Sequence, residues 1–186
     1  MRLCFTACSS SIFGLALATC DVSGLKVPGA ALPAQSAPTR YVTYGTGSQN
    51  YTCGSDGKYA PAGAVARIFD ISCTYNTDTG TFTPQQQLGN HYFVANPAHG
   101  SGLSAKWDFN TAPETYVVAV NQKGIPAPTG PWDIDWLYFS AAEGSLATEI
   151  YRTHTKGGQP PASCKPGSQD IAIWYNSLYW FTGGSA

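Results

Sequence analysis

Short stretches of alternating apolar and polar residues dominate this chain, and turns rich in glycine and proline separate them. A period of two places successive side chains on opposite faces of a β-strand. No stretch of a dozen residues combines a helical period with caps at both ends. The pattern predicts nine strands: Tyr41–Thr46, Gln49–Cys53, Ala64–Thr74, His91–Ala95, Ala105–Phe109, Tyr116–Gln122, Asp135–Ser140, Ala147–Thr155 and Asp170–Phe181. A turn near Asn176 and Ser177 could divide the last one.

Strong turn signals stand between these strands, namely Asp56-Gly57, Thr79-Gly80, Asn96-Pro97, Gly157-Gly158 and Pro166-Gly167. We find no internal repeat. Nine short strands at this spacing predict an all-β fold, either an antiparallel β-sandwich or a barrel.

The start of the chain predicts export. Residues 1–18 carry a positive charge at Arg2, an apolar run and small residues at the end, which is the composition of a signal peptide. The following residues 19–39, rich in Pro, Ala and Ser, predict an extended arm, and residues 40–186 a single β domain. A competing interpretation, a bacterial lipoprotein with lipid on Cys20, fits the preceding threonine poorly.

Four cysteines remain after removal of the leader, an even number typical of disulfide-linked secreted proteins: Cys20, Cys53, Cys73 and Cys164. Of three connectivities we favour Cys53–Cys73, which closes a short loop, with Cys20–Cys164 tying the arm to the body. The cysteines lack the close paired spacing of a metal site, and we predict no metal.

The amino-acid composition limits the classes of partner that the protein can bind. A formal net charge of −1 with 11% charged residues and no basic stripe argues against nucleic acid. After the leader, no segment approaches the roughly 20 apolar residues of a membrane span. We therefore expect a secreted monomer, in the medium or on the cell wall, whose partner is a cell-wall glycan or a host protein.

The carboxylates Asp133 and Asp135 share one face if they lie in a strand, with Trp132 and Trp136 beside them. Such a cluster suits a polysaccharide-acting hydrolase, which needs two carboxyl groups about a sugar bond. The simpler interpretation is that Trp136 packs in the core and the aspartates cap a turn. Adjacent carboxylates also bind a cation more readily than they divide into acid and base.

We expect structural and not catalytic roles for His91 and His154. His91 and His154 fall in predicted strands, where hydrogen-bonded structural roles are commoner than catalytic ones, and a metal site would need both to converge with Asp108. Arg152 lies beside an aromatic residue and could form a cation–π pair. The candidate ligand-binding residues are His91, Tyr92, Trp107, Asp108, Asp133, Asp135, Trp136, Arg152 and His154. Asn50 begins an N-glycosylation sequon.

Six segments in chain order resemble a family of small secreted proteins of unknown function, common in filamentous fungi and present in bacteria. They are Gly47–Cys53, Gly63–Cys73, His91-Tyr92-Phe93, Asp133–Leu137, Ile150-Tyr151-Arg152 with Gly157-Gly158 through Cys164, and Tyr179-Trp180-Phe181. The resemblance implies secretion and a β-rich domain, and no established chemistry. Members often carry the label malate dehydrogenase.

That label fails a physical test. A dinucleotide site needs a strand, a glycine-rich turn and a helix, whereas Gly45-Thr46-Gly47-Ser48-Gln49-Asn50 lacks the third glycine and runs into a predicted strand. No serine has the glycines of a nucleophile elbow. We predict no cofactor. Three hypotheses follow: non-enzymatic binding of carbohydrate or protein, which we prefer, a polysaccharide-acting hydrolase, and a host-directed effector.

Overall fold

The computed structural model describes residues 20–29, 31–97, 102–110 and 115–185. The predicted leader lies outside them. The regular elements of the described residues are β-strands: β1 (Thr39–Cys53), β2 (Tyr59–Asp70), β3 (Gln87–Ala95), β4 (Leu103–Phe109), β5 (Thr115–Ile125), β6 (Trp136–Gly144), β7 (Glu149–Gly157) and β8 (Ile171–Thr182). The described part of the chain contains no helix that could cross a membrane.

Each strand pairs antiparallel with the next one in sequence, and β8 pairs with β1, so the sheet closes into an eight-stranded barrel. The prediction of an all-β antiparallel fold is confirmed, as a barrel and not a sandwich. Two predicted strands merge into β1, because Gly47 continues the ladder between Ala66 of β2 and Tyr175 of β8. A Cβ at Gly47 would lie 2.0 Å from the Val65 carbonyl oxygen, so the glycine marks a close backbone approach, not a break.

The barrel interior is packed at one end and open at the other. At the filled end, where β1 begins and β8 ends, large apolar side chains meet: Leu88, Trp107, Phe109, Ile150, Tyr179 and Phe181. At the mouth, where β1 ends and β8 begins, the small residues Ala64 and Ala66 of β2 pack with Ile134 and Tyr175, and a cavity opens among the neighbouring side chains. Eight-stranded barrels are just wide enough for side chains to fill or for one small ligand to enter, and this barrel combines both arrangements.

A second apolar cluster lies outside the barrel wall. Residues of the arm, among them Leu32 with 5% of its surface exposed, pack with Ile71 of the β2–β3 loop onto Val42 of β1 and onto Leu178 and Trp180 of β8. The described residues of the predicted arm therefore lie against the wall. Burial of these side chains supplies the hydrophobic energy that holds them there.

Two disulfides form, Cys20–Cys73 and Cys53–Cys164, so the favoured pairing is wrong. Cys53 ends β1 at the mouth, whereas Cys73 follows β2 at the filled end. The 12 residues of β2 span about 40 Å at roughly 3.3 Å per residue, which puts a direct bond out of reach. Although few residues separate Cys53 from Cys73 in sequence, the whole of β2 lies between them, so the two cysteines lie at opposite ends of the barrel.

Candidate ligand-binding site

A cavity of about 400 Å³ opens at the mouth, within the size range of small-molecule sites. We call it the mouth cavity and define it by the residues that follow. Its aromatic walls are Tyr51, Tyr59, Phe93 and Phe139, and its amide groups are Gln49, Asn121 and Gln159. Apolar Pro61, Ile134, Leu137 and Pro160 complete the wall, and Arg152 and Asp135 bring charge to it. Aromatic faces with a few polar groups suit an organic ligand that has both apolar and polar surfaces.

Arg152 lies on the inner side of β7 and lines the mouth cavity, with only 7% of its surface exposed. Its Nε and Nη2 donate hydrogen bonds to the Asp135 carbonyl oxygen at 3.1 and 2.9 Å. These bonds orient the guanidinium plane, because two donors converge on one acceptor. The contact joins the start of β6 to β7 and holds the charge in place.

Gln49 and Tyr51 reach the mouth cavity from the inner face of β1. The Gln49 Nε2 donates to the Gly63 carbonyl oxygen at 3.2 Å, while its buried Oε1 has no hydrogen-bond partner. The Tyr51 hydroxyl donates to the Gly158 carbonyl oxygen at 2.7 Å. Burial raises the pKa of Tyr51 to about 12, although the Arg152 charge acts to lower it, so the phenol is neutral at physiological pH.

Asp133 and Asp135 precede β6 and occupy different environments. Both line a second cavity of about 460 Å³ beside the mouth. Asp133 is buried, accepts hydrogen bonds from Thr129 and from the Gly157 N–H, and forms an ion pair with Lys156 at 3.4 Å. Burial acts to raise the pKa of Asp133, but those hydrogen bonds and Lys156 outweigh it and lower the pKa. Asp135 is exposed to solvent and also lines the mouth cavity.

His91 and Trp107 lie inside the barrel, next to each other on β3 and β4. Their rings stack with centroids 4.3 Å apart, and His91 Nδ1 lies 2.9 Å from the Lys106 carbonyl oxygen. Burial lowers the pKa of His91 to about 3, so the ring is neutral at physiological pH. Neither residue lines the mouth cavity.

Tyr92 and Asp108 face outward on the same two strands. The Tyr92 hydroxyl donates to the Asp108 carboxylate at 2.7 Å, and the Asn90 N–H donates to it at 3.2 Å. The pKa of Tyr92 is raised, first by this hydrogen bond and then by burial. The barrel wall separates Asp108 from His91, so these two do not converge.

Trp136 and His154 pack together on the outside of the wall, with ring centroids 5.1 Å apart. His154 has a positive φ of 49° at a break in the β7–β8 register. Such a bulge redirects a side chain. Burial lowers the pKa of His154. In the residues that the structure describes, no group of three or more His, Cys, Asp or Glu could hold a metal ion.

Of the nine predicted ligand-binding residues, the structure therefore brings Arg152 and Asp135 to the mouth cavity. Gln49, Tyr51, Tyr59 and Asn121 also line it and were not among the predicted residues. Gln49 and Tyr51 carry a usable signal, because they share one face of β1 with Gly45 and Gly47. Asn50 faces the other side of that strand, half-buried, where its Oδ1 accepts from Ser48 Oγ at 3.2 Å; its glycosylation stays a prediction.

The fold and the site together define a class of protein: a disulfide-linked, eight-stranded antiparallel barrel with one filled end and one hollow end. Within that class, the chain belongs to the family described as "Protein of unknown function (DUF3455)", whose model matches residues 33–183. The match spans the described strands from β1 to β8. No curated protein and no solved structure matches the chain significantly.

Proposed function

We propose that this protein is exported and binds a small organic ligand of the carbohydrate class, without catalysis, in the mouth cavity. The observation that carries the proposal is a hollow end walled by four aromatic rings and three amide groups, in a barrel whose other end is packed. Aromatic faces stack on sugar rings and amides exchange hydrogen bonds with hydroxyls. Export is supported by the two disulfides, which persist in oxidising compartments.

The mouth is held in shape before any ligand arrives. The Cys53–Cys164 disulfide joins the end of β1 to the β7–β8 loop, and the Cys164 N–H donates to the Gly57 carbonyl oxygen at 2.8 Å. Preorganisation of this kind reduces the entropy lost on binding.

The hydrolase hypothesis has weaker support. General-acid catalysis needs a carboxyl group that is protonated near neutral pH, with a raised pKa. The pKa of Asp133 is lowered instead, by hydrogen bonds that also fix its side chain. For the effector hypothesis, the exposed Trp132 and Trp174 offer contact surface for a protein, but no described feature singles out a partner.

The test is a ligand screen with a variant that blocks the mouth. We expect purified protein to bind members of a panel of neutral and acidic mono- and disaccharides, detected by thermal shift and calorimetry, because binding to the native state raises Tm. Asn121 is exposed and lines the cavity, so Asn121→Trp should fill it without disturbing the core. Affinity for any ligand found should fall about tenfold or more, which corresponds to about 1.4 kcal/mol.

The matched control is Gln122→Trp, on the next residue of β5, which is exposed but does not line the cavity. It should bind within about twofold of wild type, a change of less than about 0.5 kcal/mol. Equal losses in both variants, or ligands that bind equally well to the blocked protein, would contradict the assignment to the mouth cavity. A panel with no binder at millimolar concentration would contradict the proposed function itself.

A further inference from the structure

The mouth cavity contains a positive charge without a negative partner. Arginine is almost never fully buried unless it is paired, because removing a charge from water is costly. Yet among the described residues no carboxylate forms an ion pair with Arg152, and its hydrogen bonds reach one carbonyl oxygen. A guanidinium has five N–H donors, and two are used here. The remaining donors are available to a ligand in the cavity.

The side chains near Arg152 do not neutralise it. The nearby phenols belong to Tyr51, Tyr175 and Tyr179, and burial raises the pKa of each, so all three are uncharged at physiological pH. His91 is neutral too, because burial lowers its pKa. Asp135 offers Arg152 its backbone carbonyl, while its carboxylate is exposed to water, where screening weakens its effect on the cavity.

A second residue that lines the same cavity, Gln49, also has a polar atom without a partner. Gln49 has 7% of its surface exposed, and its Oε1 accepts no hydrogen bond. The bond from its Nε2 to the Gly63 carbonyl oxygen fixes the amide orientation, because exchanging the two atoms would set oxygen against oxygen. A buried acceptor without a donor is costly, and a ligand hydroxyl would satisfy it.

We infer that the ligand is a hydroxylated carboxylic acid of sugar size, such as a uronic acid, whose carboxylate pairs with Arg152 and whose hydroxyl donates to Gln49. This inference rests on the proposed function. A carboxylate matches the planar fork of a guanidinium, which it can engage through two parallel hydrogen bonds. The aromatic walls would contact the ring of the acid, and the amides of Asn121 and Gln159 its outer hydroxyls.

The experiment compares two acids with their neutral counterparts. Binding of D-galacturonate and D-glucuronate, and of the hexoses galactose and glucose, is measured by calorimetry on the full, disulfide-intact protein. We expect at least one acid to bind about tenfold to a hundredfold more tightly than its hexose, the range of a hydrogen bond to a charged group. Arg152→Met should remove that preference, and Arg152→Lys should keep part of it, since it retains the charge and loses the fork.

Arg67→Met is the matched control, because Arg67 is exposed on the outer face of β2 and its loss changes net charge equally. It should leave the preference unchanged. Asp135→Asn should preserve or strengthen binding of the acid, since it removes a negative charge from the rim. Circular dichroism and thermal melting establish that each variant is folded, and the comparison of acid with hexose on the wild type needs no variant.

Failure of this inference and failure of the proposed function are distinguishable. Acid and hexose binding equally at a site that Asn121→Trp blocks would overturn this inference and leave the proposed function in place. Failure of these four sugars to bind would overturn this inference, and failure of the whole panel to bind would overturn the proposed function as well. An acid preference that survives Arg152→Met in a folded protein would likewise overturn the role of Arg152.

Discussion

At the scale of single residues, burial decides what each ionisable group does. His91 is stacked on Trp107 inside the barrel and is neutral, whereas Arg152 lines the mouth cavity. The structural role of His91 was favoured from the sequence, and Arg152 was a predicted ligand-binding residue. Gln49 was not predictable, because an inward-facing amide becomes recognisable only once the strand register and the hollow end are known.

The buried His91 should make the protein sensitive to acid. Its pKa is about 3 in the folded state and about 6.5 in the unfolded chain, so below pH 6.5 the unfolded state binds more protons and stability falls as pH decreases toward 3. The slope from this group reaches about 1.4 kcal/mol per pH unit. In urea unfolding between pH 7 and 3, His91→Phe should show a shallower decline than wild type, whatever its absolute stability.

The variant His154→Asn serves as the control for His91→Phe. The His154 ring is only partly buried, and burial lowers the pKa of His154 too. Asn is a suitable replacement because it tolerates the positive φ at this position. This variant should change the slope less than His91→Phe does. Parallel curves for wild type and His91→Phe across the whole range would show that folding does not lower the pKa of His91.

At the scale of elements, the alternation of apolar and polar residues located the strands well, but it did not show where one strand continues into the next. The predicted break between Thr46 and Gln49 does not exist, because Gly47 continues β1 at a point where two backbones approach closely. One contact of the arm with the barrel also escaped prediction, because it involves Glu149 at the start of β7, far along the chain. This buried carboxylate accepts hydrogen bonds from the N–H and Oγ of Ser36 at 3.0 and 2.9 Å, and from Thr182 Oγ1 at 2.9 Å.

Glu149→Ala should therefore loosen the arm. We expect a loss of roughly 2 to 4 kcal/mol in the free energy of unfolding, because several hydrogen bonds to a charged acceptor disappear together. Limited proteolysis under conditions that preserve the disulfides should cut the arm faster in this variant. The exposed Glu143 on β6 supplies the control, and Glu143→Ala should stay within about 0.5 kcal/mol of wild type. Equal stability of the two variants would contradict the anchoring role of Glu149.

At the scale of the whole molecule, closure of the sheet and the disulfide pattern could not be predicted from local pattern. The β1–β8 ladder joins residues more than a hundred positions apart, such as Tyr44 and Leu178, and alternation does not specify such a partner. The all-β class and the even cysteine count were predictable, because both depend on composition and period. Which cysteines meet depends on the end of the barrel that each one reaches.

The two disulfides should differ in their effect on binding. On the loop-entropy model, separations of 53 and 111 residues give about 4 and about 5 kcal/mol of stabilisation. Replacing either pair by serine should lower stability by a similar amount in denaturant unfolding. Only the Cys53→Ser/Cys164→Ser variant should also weaken ligand binding, since this bond joins the end of β1 to the β7–β8 loop at the mouth end of the barrel. Peptide mapping under non-reducing conditions that recovers Cys53 linked to Cys73 would contradict both assignments.

The filled end of the barrel is also where the chain enters and leaves it. Thr39 at the start of β1 pairs with Thr182 at the end of β8, and the Gly183 N–H donates to the Pro38 carbonyl oxygen at 3.0 Å. A fluorophore, affinity tag or surface tether attached beyond Ser185 would therefore project from the end of the barrel opposite the mouth. Protein immobilised in this way on a sensor chip would present its hollow side to the flowing solution.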